Sequence, residues 1–190
     1  MKSDIILSGV GGQGILSIAT VIGEAALNDG LNIKQSEVHG MSQRGGDVQS
    51  NLRISSDPIA SDLIPKGKAD IVISLEPMEA LRYVEYLSPE GWIITNSTPF
   101  VNIPNYPEID TVIAELRKLP RVIILDVDTI AKDGGVARAA NIVLLGAAAK
   151  HVGIEYEKLE AGIRRIFARK GEEVVNMNIK ALQLGRDNAK

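Results

Sequence analysis

Two short stretches of this 190-residue chain carry residue types at spacings that could do chemistry. The first is Gly9-Val10-Gly11-Gly12-Gln13-Gly14, a G-x-G-x-x-G pattern at Gly9, Gly11 and Gly14 that directly follows the apolar run Ile5-Ile6-Leu7. Glycines permit a tight turn there, and the free N–H groups of a helix starting after it attract an anion. The backbone donors of Gly11, Gly12, Gln13 and Gly14 are therefore expected to form a nest for sulfate, phosphate or a coenzyme pyrophosphate. The competing reading is a purely architectural strand–helix turn. Ile15 and Leu16 stand where a Walker loop requires Lys and Ser or Thr, which argues against ATP hydrolysis. A carboxylate for a ribose belongs about 20 residues beyond such a turn. Glu37 meets that spacing only loosely.

The second stretch is Ser36-Glu37-Val38-His39-Gly40-Met41-Ser42-Gln43-Arg44-Gly45-Gly46. It shows neither helical nor strand periodicity, and Gly40, Gly45 and Gly46 imply a backbone in unusual conformations or pressed against something. Arg44 could present a bidentate fork to a carboxylate or phosphate. His39 could shuttle a proton, although no paired carboxylate or nucleophile accompanies it, which favours a hydrogen-bonded structural role. Against the bland alternative of a solvated loop, a functional interface loop is the better reading.

Composition narrows the chemistry further. There is no cysteine and there are only two histidines, His39 and His151. Disulfides, thiol catalysis and Cys-ligated iron–sulfur or zinc sites made by this chain are excluded. A net charge of −3 offers no general attraction for nucleic acid or an anionic membrane. No apolar run approaches the length of a membrane helix, and because the N-terminus reads as entering a strand at once, no leader is expected. The cytoplasm is the expected compartment.

The elements that must position these stretches alternate. Strand-like runs fall at 5–7, 71–75, 92–95 and 122–127, and helical patterns at 15–27, 77–87 and 111–119. Pro77 suits a first helical turn and Gly91 reads as a helix stop. Such alternation predicts an α/β, Rossmann-like layered fold with a mostly parallel sheet. A further strand is expected near 31–35. Residues 46–55 alternate with period two, so Val48, Ser50, Leu52 and Ile54 share one face and leave the other wet or facing an interface, nearer a sheet edge. The loop 98–108, with Pro99, Pro104 and Pro107, needs cover for Phe100, Val101, Ile103 and Tyr106. Beyond Asp126 the chain turns helical, at 137–152, 156–169 and 174–184, with Gly146 allowing close approach. One domain, residues 1–190, accommodates all of this.

The two stretches together resemble the 2-oxoacid:ferredoxin oxidoreductase family, in its gamma-type domain. The His39-Gly40-Met41-Ser42-Gln43-Arg44-Gly45-Gly46 variant is most similar to the small, beta subunit of the indolepyruvate branch. Pyruvate-type relatives carry Tyr-Gly-x-Glu-x-Arg-Gly-Gly there, so His39 and Gln43 favour that branch. Echoes at Asn96-Ser97, Asp126, Ala131, Asn141, Leu145-Gly146, Asn176, Ala181 and Gly185 extend the likeness over nearly the whole chain.

The resemblance implies oxidative decarboxylation of a 2-oxoacid onto coenzyme A, with thiamine diphosphate and with iron–sulfur clusters that reduce ferredoxin. Thiamine diphosphate and clusters are then expected on a large alpha subunit, and none is assigned with certainty to this chain. Gly9, Gly11, Gly12, Gln13 and Gly14 become candidate cofactor-binding residues. Glu37, His39, Gly40, Met41, Gln43, Arg44, Gly45 and Gly46 become candidate contacts to the alpha subunit or its pocket. Two rival readings remain: a self-sufficient nicotinamide- or flavin-dependent oxidoreductase, and a non-catalytic nucleotide- or coenzyme A-binding module.

Overall fold

The run Ile5-Ile6-Leu7 lies at the centre of a strand, β1 (Lys2–Val10), and all three side chains are fully buried because helices cover both faces. The computed structural model describes residues 1–39 and 45–189. The readings of Gly40, Met41, Gln43 and Arg44 fall outside those residues. Among the described residues six strands form one sheet in the order β2-β3-β1-β4-β5-β6. The others are β2 (Asn32–His39), β3 (Asp47–Ser55), β4 (Ala69–Ser74), β5 (Leu87–Asn96) and β6 (Val122–Leu125). β1, β4, β5 and β6 pair in parallel, whereas β3 runs antiparallel to both β1 and β2.

Helix α1 (Ile15–Asn28) packs on one face with α4 (Val127–Asp133), α5 (Ala140–Ala148), α6 (Tyr156–Phe167) and α7 (Glu172–Asn188). The other face is covered by α2 (Pro77–Arg82) and α3 (Ile109–Leu116), together with Ile64 from the segment before β4. The expected α/β architecture and helical C-terminal part are thus present, and no helix among the described residues is long and apolar enough to cross a membrane.

Several local expectations give way to tertiary structure. Gly91 ends no helix: it sits inside β5 at a register shift, where a Cβ would lie 2.8 Å from the Ala69 carbonyl oxygen. Of the two readings of β3's second face, wet or facing an interface, the wet one fails. Asn51 and Ser55 are buried, and Arg53 grips the buried Asp4 carboxylate at 2.7 and 3.2 Å. Arg53 also donates to the carbonyls of Ser61 and Leu63, and Asn51 accepts from Ile64 N, so residues 61–64 roof that face. Residues 36–39, read as aperiodic loop, continue β2 as the exposed edge of the sheet.

Trp92, the one tryptophan of the chain, stacks on His151 with ring centroids 4.1 Å apart. Burial, assisted by Lys150, pushes the His151 pKa below histidine's usual value. The folded chain therefore binds this proton less readily than the unfolded chain. The resulting stability is full above about pH 6.5 and declines as pH falls through the lowered folded value. Trp92 emission is expected to drop on acidification with its midpoint below about pH 6.5, and His151→Phe to abolish that step. A midpoint above the usual histidine value would contradict the burial argument.

Candidate functional site

The Gly-rich turn joins β1 to α1 at the C-terminal edge of the parallel strands. Gly14 is its critical hinge: its φ of 85° and ψ of 28° are left-handed. A Cβ there would also lie 2.8 Å from Asn141 Nδ2, which instead donates to the Gly14 carbonyl at 3.0 Å. Asn141, known from the sequence only as one of the scattered family-like residues, thus clamps the turn from α5.

Gln13 decides what the turn can hold. After β1 the chain moves to one side of the sheet to build β2 and β3, then crosses back to β4 on the other. Ligands of open α/β sheets enter the crevice at such a reversal. Here the Gln13 side chain spans it: Oε1 accepts from Val10 N at 2.7 Å and Nε2 donates to the Leu75 carbonyl at 3.0 Å. The space left open lies toward β3, a pocket of about 280 Å³ lined by Val10, Gly11, Gly12, Gly14, Ile15, Leu16 and Val48.

The expected four-donor nest is only half available. Gly11 N donates to the Gly46 carbonyl at 2.8 Å and Gln13 N to the Val10 carbonyl at 3.1 Å. The Gly12 and Gly14 amides meet no protein acceptor among the described residues, and a Cβ on Gly12 would enter open space. Positive φ belongs to Gly9, Gly12 and Gly14 but not to Gly11. The residues present therefore fit one phosphate-sized anion at Gly12 and Gly14 beside an apolar wall. A dinucleotide laid across the β1/β4 crevice does not fit.

Glu37 fails as a ribose ligand for a topological reason. In dinucleotide folds the acidic residue sits on the strand next to β1. Here β3 intervenes, which puts Glu37 two strands, about 10 Å, away from β1. His39 is the last residue of β2, paired with Val48. Gly45 and Gly46 lie against the turn, since Gly46 O accepts from Gly11 N. The structure thus brings Gly9–Gly14 and Gly45–Gly46 together and holds Glu37 apart on the edge strand.

A neighbouring carboxylate went unseen in the sequence. Glu76 follows β4 and is 1% exposed. Its Oε2 accepts from Glu79 N at 2.8 Å, capping α2, and its Oε1 accepts from Phe100 N at 3.3 Å and from the Tyr106 hydroxyl. Burial and then Glu76 raise the Tyr106 pKa, so the phenol stays a donor. Glu79, also buried, holds Arg82 at 2.9 and 3.2 Å; burial raises its pKa against the opposing pull of that guanidinium. The available signal was Glu76 directly before Pro77 with Glu79 three residues on, a helix-start pattern. Contrary to expectation, most of the 98–108 loop is uncovered: Phe100, Val101 and Ile103 are 41, 68 and 37% exposed.

Gln13→Met keeps the side-chain length and removes both hydrogen bonds, leaving Val10 N and Leu75 O unsatisfied. A loss of about 2 kcal/mol is expected in denaturant unfolding. A change under about 0.5 kcal/mol would show that Gln13 does not brace the crevice.

Known proteins supply the family. The model for pyruvate ferredoxin/flavodoxin oxidoreductase matches residues 4–188. Indolepyruvate oxidoreductase subunit IorB of Archaeoglobus fulgidus is 38% identical over an alignment covering 100% of this chain and 96% of that one. The gamma subunit of a keto/oxoacid ferredoxin oxidoreductase from Geobacter sulfurreducens superposes with a TM-score of 0.71 at 28% identity, covering 98% of each chain. A 2-oxoglutarate:ferredoxin oxidoreductase from Magnetococcus marinus, solved with 2-oxoglutarate, coenzyme A and succinyl-CoA bound, shares the fold at 22% identity and a TM-score of 0.76. This chain spans 31% of that longer one. Neither rival reading, the self-sufficient nucleotide-dependent enzyme or the stand-alone binding module, finds support, and the Gln13 bridge gives a physical reason against the first. With the family model matching residues 4–188 and a relative 38% identical over the whole chain, the chain belongs to the pyruvate ferredoxin/flavodoxin oxidoreductase family.

Proposed function

We propose that the chain is the small subunit of an indolepyruvate-type 2-oxoacid:ferredoxin oxidoreductase, docked through the C-terminal edge of its sheet onto a large alpha subunit in the cytoplasm. The observation that carries this reading is where the apolar surface lies. Of the eight large apolar side chains exposed among the described residues, Leu16, Val38, Phe100, Val101 and Ile103 all belong to segments at that edge. An apolar surface gathered around a conformationally special turn marks an interaction site rather than scattered surface residues. IorB of Archaeoglobus fulgidus, a relative matched over nearly its whole length, is itself named as a subunit.

On this reading thiamine diphosphate and iron–sulfur clusters reside on the alpha subunit and supply the carbanion and electron-transfer chemistry. This chain's own residues shape and dry the shared pocket. The Gly12 and Gly14 amides are available to an anionic group, such as a coenzyme A phosphate, while Ile15, Leu16 and Val48 exclude water beside it. Glu37, His39, Gly40, Met41, Gln43, Arg44, Gly45 and Gly46 form the docking segment. Arg44 offers its fork to a partner carboxylate, a cofactor phosphate or the substrate's carboxylate. Ferredoxin is reached only through the complex.

Co-expression with the alpha subunit tests the reading, which predicts a stable heteromer on purification. Within it, Arg44→Ala is expected to impair assembly or turnover while leaving the free subunit's melting temperature nearly unchanged. Arg44→Lys, which keeps the charge and loses the fork, separates geometry from electrostatics. A less stable free subunit with a normally active complex would assign Arg44 to the chain's own fold.

A further inference from the structure

A line of hydrogen bonds runs from the buried Glu76 carboxylate to the Gly-rich turn. Glu76 is held where α2 begins, and no cationic side chain pairs with it among the described residues. A buried carboxylate is tolerated only when donors satisfy it. Here two of the donors, Phe100 N and the Tyr106 hydroxyl, come from either end of one exposed loop. Between them Asn102 Nδ2 donates to the Gly45 carbonyl at 2.6 Å. Gly45 and Gly46 in turn meet Gly11, most firmly through Gly11 N to Gly46 O at 2.8 Å. The loop is thus tied down at 100 and 106, and its middle reaches across to the base of the docking segment.

We infer that residues 98–106 form a strap, anchored by Glu76, that positions the Gly45–Gly46 corner against the Gly-rich turn and extends the alpha-subunit docking face with Phe100, Val101 and Ile103. Glu76 is a positioning residue. It touches neither the turn nor a ligand, and acts through Phe100, Tyr106 and Asn102. The inference rests on the docking reading above for its partner, but the strap itself is a property of the free chain. Two features point to the alpha subunit as occupant: the strap tip is continuous with the proposed docking segment through Asn102 and Gly45, and its apolar side chains lack cover although the loop's backbone is anchored. An anchored loop keeps its ordering cost small when a partner binds, unlike a free one.

The test uses Asn102→Ala and Tyr106→Phe, which spare the α2 cap that Glu76→Gln would disturb. Amide hydrogen exchange of the full chain is followed by binding to the alpha subunit. Each variant is expected to speed exchange at Phe100 and at Gly11 together by about five- to tenfold, the ordinary worth of one hydrogen bond, and to weaken the complex similarly. Unchanged exchange at Gly11 when Phe100 is released overturns the strap. Coupled exchange with wild-type affinity overturns its role in docking. If the wild-type chain itself forms no complex, the docking reading fails and takes the docking role with it, while exchange still decides the strap.

Discussion

Supplied with a 2-oxoacid, coenzyme A, thiamine diphosphate and an electron acceptor, the isolated chain is expected to show no turnover, and addition of the alpha subunit to restore it. The reason lies in its residue types. Without cysteine it can contribute no thiolate to an iron–sulfur cluster, so the electrons have no such route out through this chain. The turn that could hold a coenzyme phosphate offers two backbone donors and an apolar wall, with no acid–base side chain among the described lining residues. Those described residues can bind an anion and exclude water but carry no group that would transfer a proton. The effect is all or none, and steady-state assays of the chain, the partner and the mixture measure it. Robust turnover by the chain alone would overturn the subunit assignment.

The largest stability effect is expected at the crossing of α5 and α7. There Gly146 and Gly185 let two helix backbones meet: a Cβ on Gly185 would lie 1.8 Å from the Val143 carbonyl oxygen, and one on Gly146 2.0 Å from the Leu182 carbonyl oxygen. Both obstacles are backbone, so no rotamer change relieves them. Gly185→Ala is expected to cost about 3 kcal/mol or more, at the top of the range for overpacking, and to lower the melting temperature by about 6–12 °C. Gly23→Ala is the control. It lies in α1 with its nearest would-be neighbour, Ile33 Cδ1, 3.9 Å away, so Ala should raise stability by up to about 1 kcal/mol through helix propensity. Equal effects at the two glycines would refute the close-packing account. Gly146 was recognisable as a contact residue because it interrupts an Ala- and Leu-rich helix. Gly185, in a more polar helix, showed no such contrast.

Hydrophobic periodicity is enough to make the layered architecture legible. The runs 5–7, 71–75 and 122–127 read as strands because a continuous apolar run can be buried only where both faces are covered, although β4 ends at Ser74 and β6 at Leu125. The Gly9–Gly14 turn reads as a strand-to-helix junction because its glycines and the following helical stripe are local signals. Some boundaries mislead. Residues 77–87 look helical throughout, but the chain leaves α2 at Arg82 and enters β5 at Leu87, since Leu87 pairs with Ala69 on β4. Phe100, Val101 and Ile103 look like residues that need cover, and hydrophobicity alone does not distinguish a core contact from one awaiting a partner.

What the sequence determined by itself is what its residue types and short spacings dictate: alternating strands and helices, a Gly-rich turn in front of a helix, the absence of thiolate chemistry, and a family likeness carried by Ser36–Gly46. Tertiary structure alone decided where the antiparallel β3 goes, between β2 and β1, and with it that Glu37 stands too far from the turn to meet a ribose. It also decided that Gln13 reaches Leu75, that Asn102 reaches Gly45 and that Tyr106 reaches Glu76, across 62, 57 and 30 residues of chain. Strand and helix periods report a residue's immediate neighbours and the face it occupies. A side chain that bridges distant segments has no period, and its partner exists only once the sheet order is set.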